Sequence, residues 1–182
     1  MSTLEEAAAR LRRGDVAAFQ VIVDATSAKL VRLGARILGN VADAEDVVQE
    51  AYVKAYSALI NGQFDGRSRV ETWLYRIVVN GALDAKRKSK RSATDELLEE
   101  TAYEGAGAGA ADATSAESVV ALRELSEWLS ALPEEQQTVL VLKAVEGMSS
   151  AEVAQVLEIT EGAVEQRLVR ARSTLREKRS AS

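Results

Sequence analysis

Residues Gln63 to Arg91 read QFDGRSRVETWLYRIVVNGALDAKRKSKR, and this stretch decides the fold. Phe64-Asp65-Gly66 is a turn signal. Ser68 with Glu71 three residues on has the S-x-x-E pattern of a capping box, which places a helix start near Arg69. Trp73, Leu74, Ile77, Val78, Gly81 and Ala82 recur at three- and four-residue spacing and form an inward face. Arg76, Asn80 and Asp84 fall on another. Between Arg67 and Arg91 the basic residues are Arg67, Arg69, Arg76, Lys86, Arg87, Lys88, Lys90 and Arg91, opposed only by Glu71 and Asp84, although the chain as a whole carries a formal charge of -5. A local reversal of sign of this kind asks for a partner.

Two accounts compete for the basic run. One is a solvated helix end favoured by the macrodipole. The other is attraction to phosphate, the commoner use of a Lys/Arg cluster beside aromatics. Trp73 reads as a core residue. Phe64, in a glycine-containing loop just before the helix, is expected to be exposed, where it can stack on an unstacked base or wall a pocket for one. Single-stranded DNA is therefore a candidate ligand.

Outward from this stretch the chain reads as helical throughout. Hydrophobic residues make up 47% of its 182 residues but aromatics only 4%, there is one proline, and the dominant residues are helix formers, so an all-α fold is expected. The length allows one large or two small domains. With no cysteine and no histidine, a disulfide framework and the usual structural zinc sites are excluded, and most nucleophile-plus-base catalysis with them. No metal and no cofactor is expected. No charged n-region precedes an apolar run, and no apolar stretch is long enough to span a bilayer; a cytoplasmic protein without membrane insertion is expected. The acidic balance confines any DNA contact to patches.

Upstream, Thr3 with Glu6 is a second capping-box pattern, and Gly14-Asp15 breaks the chain and supplies a fresh N-cap. A long core helix follows from about Val16 to Leu38, with Phe19, Ile22, Val23, Leu30, Leu33, Ile37 and Leu38 inward and Gly39-Asn40 as its stop. The next helix starts with acids in its first turn, faces Val47, Val48, Ala51, Ala55 and Leu59 inward, and stops near Asn61-Gly62. Its outer face carries Asp43, Glu45, Asp46, Gln49 and Glu50. Taken alone, that is a solvated face. A carboxylate enzyme built on these acids is a weak reading, because no histidine supplies the usual metal partner. Together these elements make an N-terminal bundle over about residues 1–92.

Downstream, residues 93–116 are acidic, lack basic residues after Ala93 and carry the run GAGAGAA, a composition expected to form a flexible linker. A second domain is expected over residues 117–182. It opens with an amphipathic helix over Ser118 to Ala131 and continues beyond Pro133 with a helix over Glu134 to Val145. Ser149 and Glu152 form a capping box for a short helix to about Leu157; Glu158-Ile159-Thr160 turns the chain, and Thr160 caps a last helix to about Lys178. This is a helix-turn-helix pattern, whose second helix enters the major groove. Its exposed candidates are Glu161, Glu165, Gln166, Arg167, Arg170 and Arg172. Val153, Ala154, Val156, Leu157, Ile159, Val164, Leu168 and Ala171 are its packing.

The segment FDGRSRVETWLYRIVVNGALDAKRK resembles the promoter-melting part of the extracytoplasmic-function (ECF) sigma factors, the dissociable specificity subunits of bacterial RNA polymerase. DAEDVVQEAYVKAY, from Asp43 to Tyr56, is similar to the segment of that family that docks on the clamp coiled coil of the polymerase's largest catalytic subunit. EGMSSAEVAQVLEITEGAVEQRLVRARSTLRE, from Glu146 to Glu177, is similar to its upstream-element reader. The resemblance covers nearly the whole chain and implies a region 2-like bundle and a region 4-like helix-turn-helix domain. It assigns core-polymerase binding to Asp46, Gln49 and Glu50. It assigns the -10 element to Phe64, Arg67, Ser68, Arg69, Arg76, Asn80, Lys86, Arg87 and Lys88, and the -35 element to the six candidates of the last helix. It implies core RNA polymerase, promoter DNA and an anti-sigma factor as partners, and an acidic linker threading the polymerase's template and RNA-exit path. It also implies that the chain is not itself an enzyme.

Two departures stand out. The family usually has glycine in the inter-helix turn where this chain has Glu158, and a basic or small polar pair where it has Glu165-Gln166. A carboxylate beside phosphate costs affinity, yet it can accept from cytosine N4, so weakened binding and altered sequence preference both stay open. The alternative to a sigma factor is a helix-turn-helix regulator whose N-terminal bundle dimerises or senses a ligand, and which reads a palindromic duplex without polymerase.

Overall fold

The computed structural model describes residues 2–96, 129 and 132–181. The chain divides into two compact units, Met1–Ala108 and Gly109–Ser182, and the described residues of both are helices and the turns between them.

Among the described residues the first unit has four helices: α1 (Thr3–Arg12), α2 (Ala18–Leu38), α3 (Val41–Ile60) and α4 (Val70–Glu96). α2 is the central one and packs against the other three. It buries Ala18, Ile22, Thr26, Leu30, Leu33 and Ile37, a stripe stepping by four and three residues as a core-facing helix requires. α3 answers with Ala44, Val48, Ala51, Ala55 and Leu59. Small residues let these two helices approach closely: a Cβ on Gly34 would lie 3.0 Å from the Cβ of Ala44. α4 contributes Val70, Leu74, Val78 and Ala82, with Thr72, Trp73, Tyr75 and Val79 also buried. Each fully buried Leu or Val in such a core is worth roughly 1.5–3 kcal/mol over its exposed state.

The buried Thr26 hydroxyl donates to the Ile22 carbonyl at 2.7 Å and lies 2.7 Å from the Tyr52 hydroxyl. Burial pushes the Tyr52 phenol above its ordinary range, partly offset by the Thr26 hydrogen bond. Phe19 meets Tyr52 and Tyr56 edge-on at 6.1 and 5.1 Å.

Several helix boundaries differ from the sequence reading. Ser2, not Thr3, is the N-cap of α1, without a side-chain cap bond, so the Thr3–Glu6 capping box does not form. α2 begins at Ala18, after a turn through Val16 and Ala17 braced by Asp15. It stops at Gly39, whose φ of 89° is left-handed, as expected. α3 is capped by Asn40, whose side chain accepts from the Asp43 N–H at 2.7 Å.

The second unit has α5 (Glu134–Leu140), continued by a π-helical turn over Val141–Val145, then α6 (Ser150–Leu157) and α7 (Glu161–Ala181). α7 packs on both α5 and α6, burying Val139, Leu142, Val153, Val156, Val164 and Leu168. The π-helical turn is absent from the sequence reading, which runs a single helix through it. The linker beyond Glu96 and the helix expected over Ser118 to Ala131 lie outside the described residues, apart from Leu129. α4 itself runs to Glu96, past the bundle's expected end at residue 92.

Candidate nucleic-acid interface

The loop from Gln63 to Arg69 leads into α4, and helix α1 bonds to both of its ends. The Arg12 Nη2 donates to the Phe64 carbonyl at 2.5 Å, and its guanidinium lies 5.4 Å from the centroid of the Phe64 ring, a cation–π distance. The ring also leans on Trp73 at 4.8 Å with 43° between planes. Phe64 is consequently only 9% exposed. This corrects the sequence reading: Phe64 is a plug held by Trp73 and Arg12, not an open stacking platform, because a large apolar ring beside another aromatic gains more from burial than from solvent. Trp73 is core, at 8% exposure, as read.

The expected Ser68–Glu71 capping box also gives way. α4 starts at Val70, and its first N–H is satisfied by Glu5 Oε1 of α1 at 3.1 Å. Glu71 turns aside to pair with Lys29 of α2 at 3.1 Å. A carboxylate from a distant helix thus does the work assigned to a local hydroxyl, in the favourable field of the helix N-terminus. The apex of the loop is a tight turn in which the Arg67 N–H donates to Asp65 Oδ1 at 3.0 Å and Gly66 has φ 71°. Arg67 projects outward with its side chain 89% exposed, 3.3 Å from Asp65. Arg69 is exposed and Ser68 half-buried.

Along α4, Asn80, Arg87 and Lys88 are exposed and Arg76 is half-buried. Arg69, Arg76, Asn80 and Arg87 are spaced to share one stripe of the helix, a consequence of its 3.6-residue turn. Arg87 lies 3.6 Å from Asp84 on that stripe. Lys86 departs from the expected role: its ammonium reaches back to the Ile37 carbonyl at the C-terminal end of α2, 3.1 Å away. A cation at that end of a helix is stabilised by the orphan carbonyls, so Lys86 braces the bundle.

On α3, Asp46, Gln49 and Glu50 are all exposed. Glu50 stands 3.9 Å from Lys54 one turn on, an exposed pair of little energetic weight. Among the described residues no group of acidic side chains gathers into a possible metal site.

In the second unit the capping box at Ser149 forms in full. The Glu152 N–H donates to Ser149 Oγ at 3.2 Å, and the Ser149 N–H donates to Glu152 Oε2 at 2.8 Å. α6 closes through Glu158, the one described non-glycine residue with positive φ (54°, ψ 41°), and the Ile159 N–H reaches back to the Ala154 carbonyl at 3.1 Å. This is the left-handed closure that usually selects glycine, and holding it with glutamate costs about 1–2 kcal/mol. The glycine that the resemblance leads one to expect at this point would hold the same left-handed φ without that cost. Thr160 then caps α7, accepting from the Ala163 N–H at 3.2 Å.

Glu161, Gln166, Arg170 and Arg172 are exposed on α7. Glu165, also exposed, accepts from Ser150 Oγ at the start of α6 at 2.5 Å, which fixes its carboxylate. Arg167 is a correction: its side chain is 26% exposed and its Nη2 pairs with Glu135 of α5 at 2.8 Å, so it ties α7 to α5 instead of standing open on the helix face. Sequence reading missed Glu5, Arg12, Glu135 and Ser150. Only Ser150, beside a capping residue and facing the next helix, left a local trace.

Residues 22–92 match Sigma-70 region 2, and residues 122–175 match Sigma-70, region 4. The ECF RNA polymerase sigma factor SigW of Bacillus subtilis (strain 168) is 36% identical over 176 residues, covering 92% of this chain and 91% of that protein. Among solved structures, CnrH in complex with the cytosolic domain of CnrY has a TM-score of 0.72 at 26% identity, covering all of this chain and 99% of that one. The sigma factor RpoE in complex with the anti-sigma factor NepR, from Bartonella quintana, shares the fold with a TM-score of 0.70 at 23% identity, covering 87% and 94%. A region 2 bundle followed in order by a region 4 helix-turn-helix, with a full-length relative of this similarity, places the chain in the ECF sigma factors, transcription initiation factors of bacterial RNA polymerase that are not enzymes.

Proposed function

We propose that the chain binds core RNA polymerase through the exposed face of α3, at Asp46, Gln49 and Glu50, and reads promoter DNA at two places. In this reading residues 1–92 bind polymerase and open the -10 element, residues 93–116 link the domains, and residues 117–182 read the -35 element. The observation that carries the proposal is the stripe on and beside α4 of the exposed Arg69, Asn80 and Arg87 with the half-buried Arg76 among them, next to the exposed Arg67, in a chain of net negative charge. Such a stripe attracts a phosphate backbone locally without coating DNA at large. Lys88 adds to the same end of the helix. Ser68 stays with the -10 contacts, and Phe64, Lys86 and Arg167 enter as residues that shape the reading surfaces.

On α7, Arg170 and Arg172 are the phosphate anchors, and Glu161, Glu165 and Gln166 face base edges. The bond from Ser150 to Glu165 supports a reading in which the carboxylate accepts from cytosine N4. The duplex-only regulator with a sensing bundle loses its ground, since the bundle itself matches Sigma-70 region 2. No helix among the described residues is long and apolar enough to cross a membrane, and we place the protein in the cytoplasm, held by an anti-sigma factor until needed. The RpoE neighbour solved with NepR supports that partner class by fold. Two faces to be covered, and no cysteine or histidine to switch the chain from within, support it too.

The test is run-off transcription with core polymerase on a genomic promoter library. Sequence-selective initiation is expected, and Asp46→Lys is expected to lower core association while circular dichroism stays unchanged. Initiation without selectivity would overturn the proposal, and unchanged association would remove the α3 assignment.

A further inference from the structure

α1 touches the recognition loop at both of its ends. Glu5 and Arg12 stand seven residues apart on α1, two turns on one face and about 10 Å along the axis. Glu5 takes the Val70 N–H where the loop becomes α4, and Arg12 takes the Phe64 carbonyl and ring where it begins. α1 is itself seated by the buried Ala7, Ala8 and Leu11, so these two side chains project from a fixed rod. Between the two holds the chain leaves Asp65, Arg67 and Arg69 exposed, and the Asp65 turn with Gly66 sets their direction.

We infer that Arg12, with Glu5, is a positioning residue for strand recognition: α1 splints the Phe64–Val70 loop in one conformation, so that the exposed loop side chains meet the melted strand already ordered. The inference rests on the proposed reading of the melted strand by this loop. Its physical basis is preorganisation, since a loop that is ordered before binding loses less freedom on binding and discriminates between strands more sharply. The chemistry of the pair is matched to the task. A carboxylate suits the orphan N–H groups at the start of α4, and an Arg fork can hold a carbonyl and cover a ring at once. Neither residue needs to touch DNA.

The experiment has two arms, with Arg13→Ala as control because Arg13 is exposed beside Arg12 and its loss removes the same charge. In the free full-length chain, hydrogen exchange of the amides from residue 64 to 70 is expected to rise about tenfold in Arg12→Ala, the size of one lost charged hydrogen bond. Glu5→Ala is expected to release the Val70 end, and Arg13→Ala should change neither. In the second arm, core polymerase carrying each variant is challenged with forked duplexes bearing a randomised single-stranded overhang. The bound fraction is then sequenced. Arg12→Ala is expected to lower the enrichment of preferred overhangs by about tenfold, with core association and binding to fully duplex DNA unchanged. Unaltered exchange in Arg12→Ala overturns the splint. A loosened loop with undiminished enrichment overturns its part in recognition. If the unmutated protein enriches no overhang, strand reading by the loop falls, and the exchange result stands apart from it.

Discussion

The two proposed reading surfaces are built by different means. In the helix-turn-helix unit the caps and the turn are set by neighbours in sequence: Ser149 and Glu152 cap each other, Glu158 closes α6, and Thr160 opens α7, while Glu165 and Arg167 find their partners on other helices. The loop before α4 is shaped from far away, by Arg12 at a separation of 52 residues and by Glu5 at 65. The difference teaches where each surface is vulnerable. A local motif fails only where it is hit, whereas the loop fails with anything that displaces α1.

The largest test of that contrast is Leu11→Ala. Leu11 is buried beneath α1, and truncating it is expected to cost about 3 kcal/mol of the first unit's stability, read by urea denaturation. It should also speed exchange at residues 64–70, which Leu11 itself is not in. Loss of stability with a protected loop would break the comparison. Next in size, Ser149→Ala should cost about 1 kcal/mol and raise exchange only around the start of α6. A spread of the effect into α7 would show that the motif is less local than its bonds.

Glu158→Gly runs the other way. It relieves the left-handed glutamate at the expense of glycine's greater freedom in the unfolded chain, for a net gain of about 0.5–1 kcal/mol, visible as a higher denaturation midpoint. A lower midpoint would mean that the Glu158 side chain holds something the backbone does not. The smallest effect belongs to Asp15, at the hinge between α1 and α2. Both Arg10 Nε and Nη2 reach its Oδ2, at 2.9 and 2.7 Å, and this hydrogen bonding holds the carboxyl below its ordinary value, against a slight opposing effect of desolvation. The carboxylate's contribution is therefore present above the usual aspartate pKa of about 3.9 and is lost as pH falls through the lower folded value. Asp15→Asn should reduce stability slightly at neutral pH, and the gap should close on acidification. A gap that persists under acid would assign the hinge to packing instead.

The sequence was legible where structure is periodic or local. The core stripes of α2, α3 and α4, the capping box at Ser149, the Thr160 cap and the glycine stop at Gly39 were all readable, because each depends on residues within a turn or two. Phe64 and Lys86 were misread for a common reason. Both lie in a stretch that looks like a nucleic-acid surface, and nothing within it shows that Arg12 and Trp73 bury the ring or that the Ile37 carbonyl draws the lysine inward. Arg167 was misread because its partner Glu135 lies across a turn and another helix. The Ser68–Glu71 pattern was a genuine local signal, outcompeted by Glu5 and Lys29, which fold brings to the same atoms. The π-helical turn at Val141–Val145 has no marker in composition or spacing.

The reach from Glu5 to Val70 also has a consequence for the timing of synthesis. At about 5–20 residues per second, the 65 residues between them take about 3 to 13 s to be made, during which the Glu5 carboxylate has no Val70 amide to meet. Ser149 and Glu152, three residues apart, are translated almost together. On a ribosome α1 is therefore made seconds before the loop that it holds, and the loop meets its support as soon as it emerges. A nascent fragment ending within α3 would carry α1 with both of its holding groups idle.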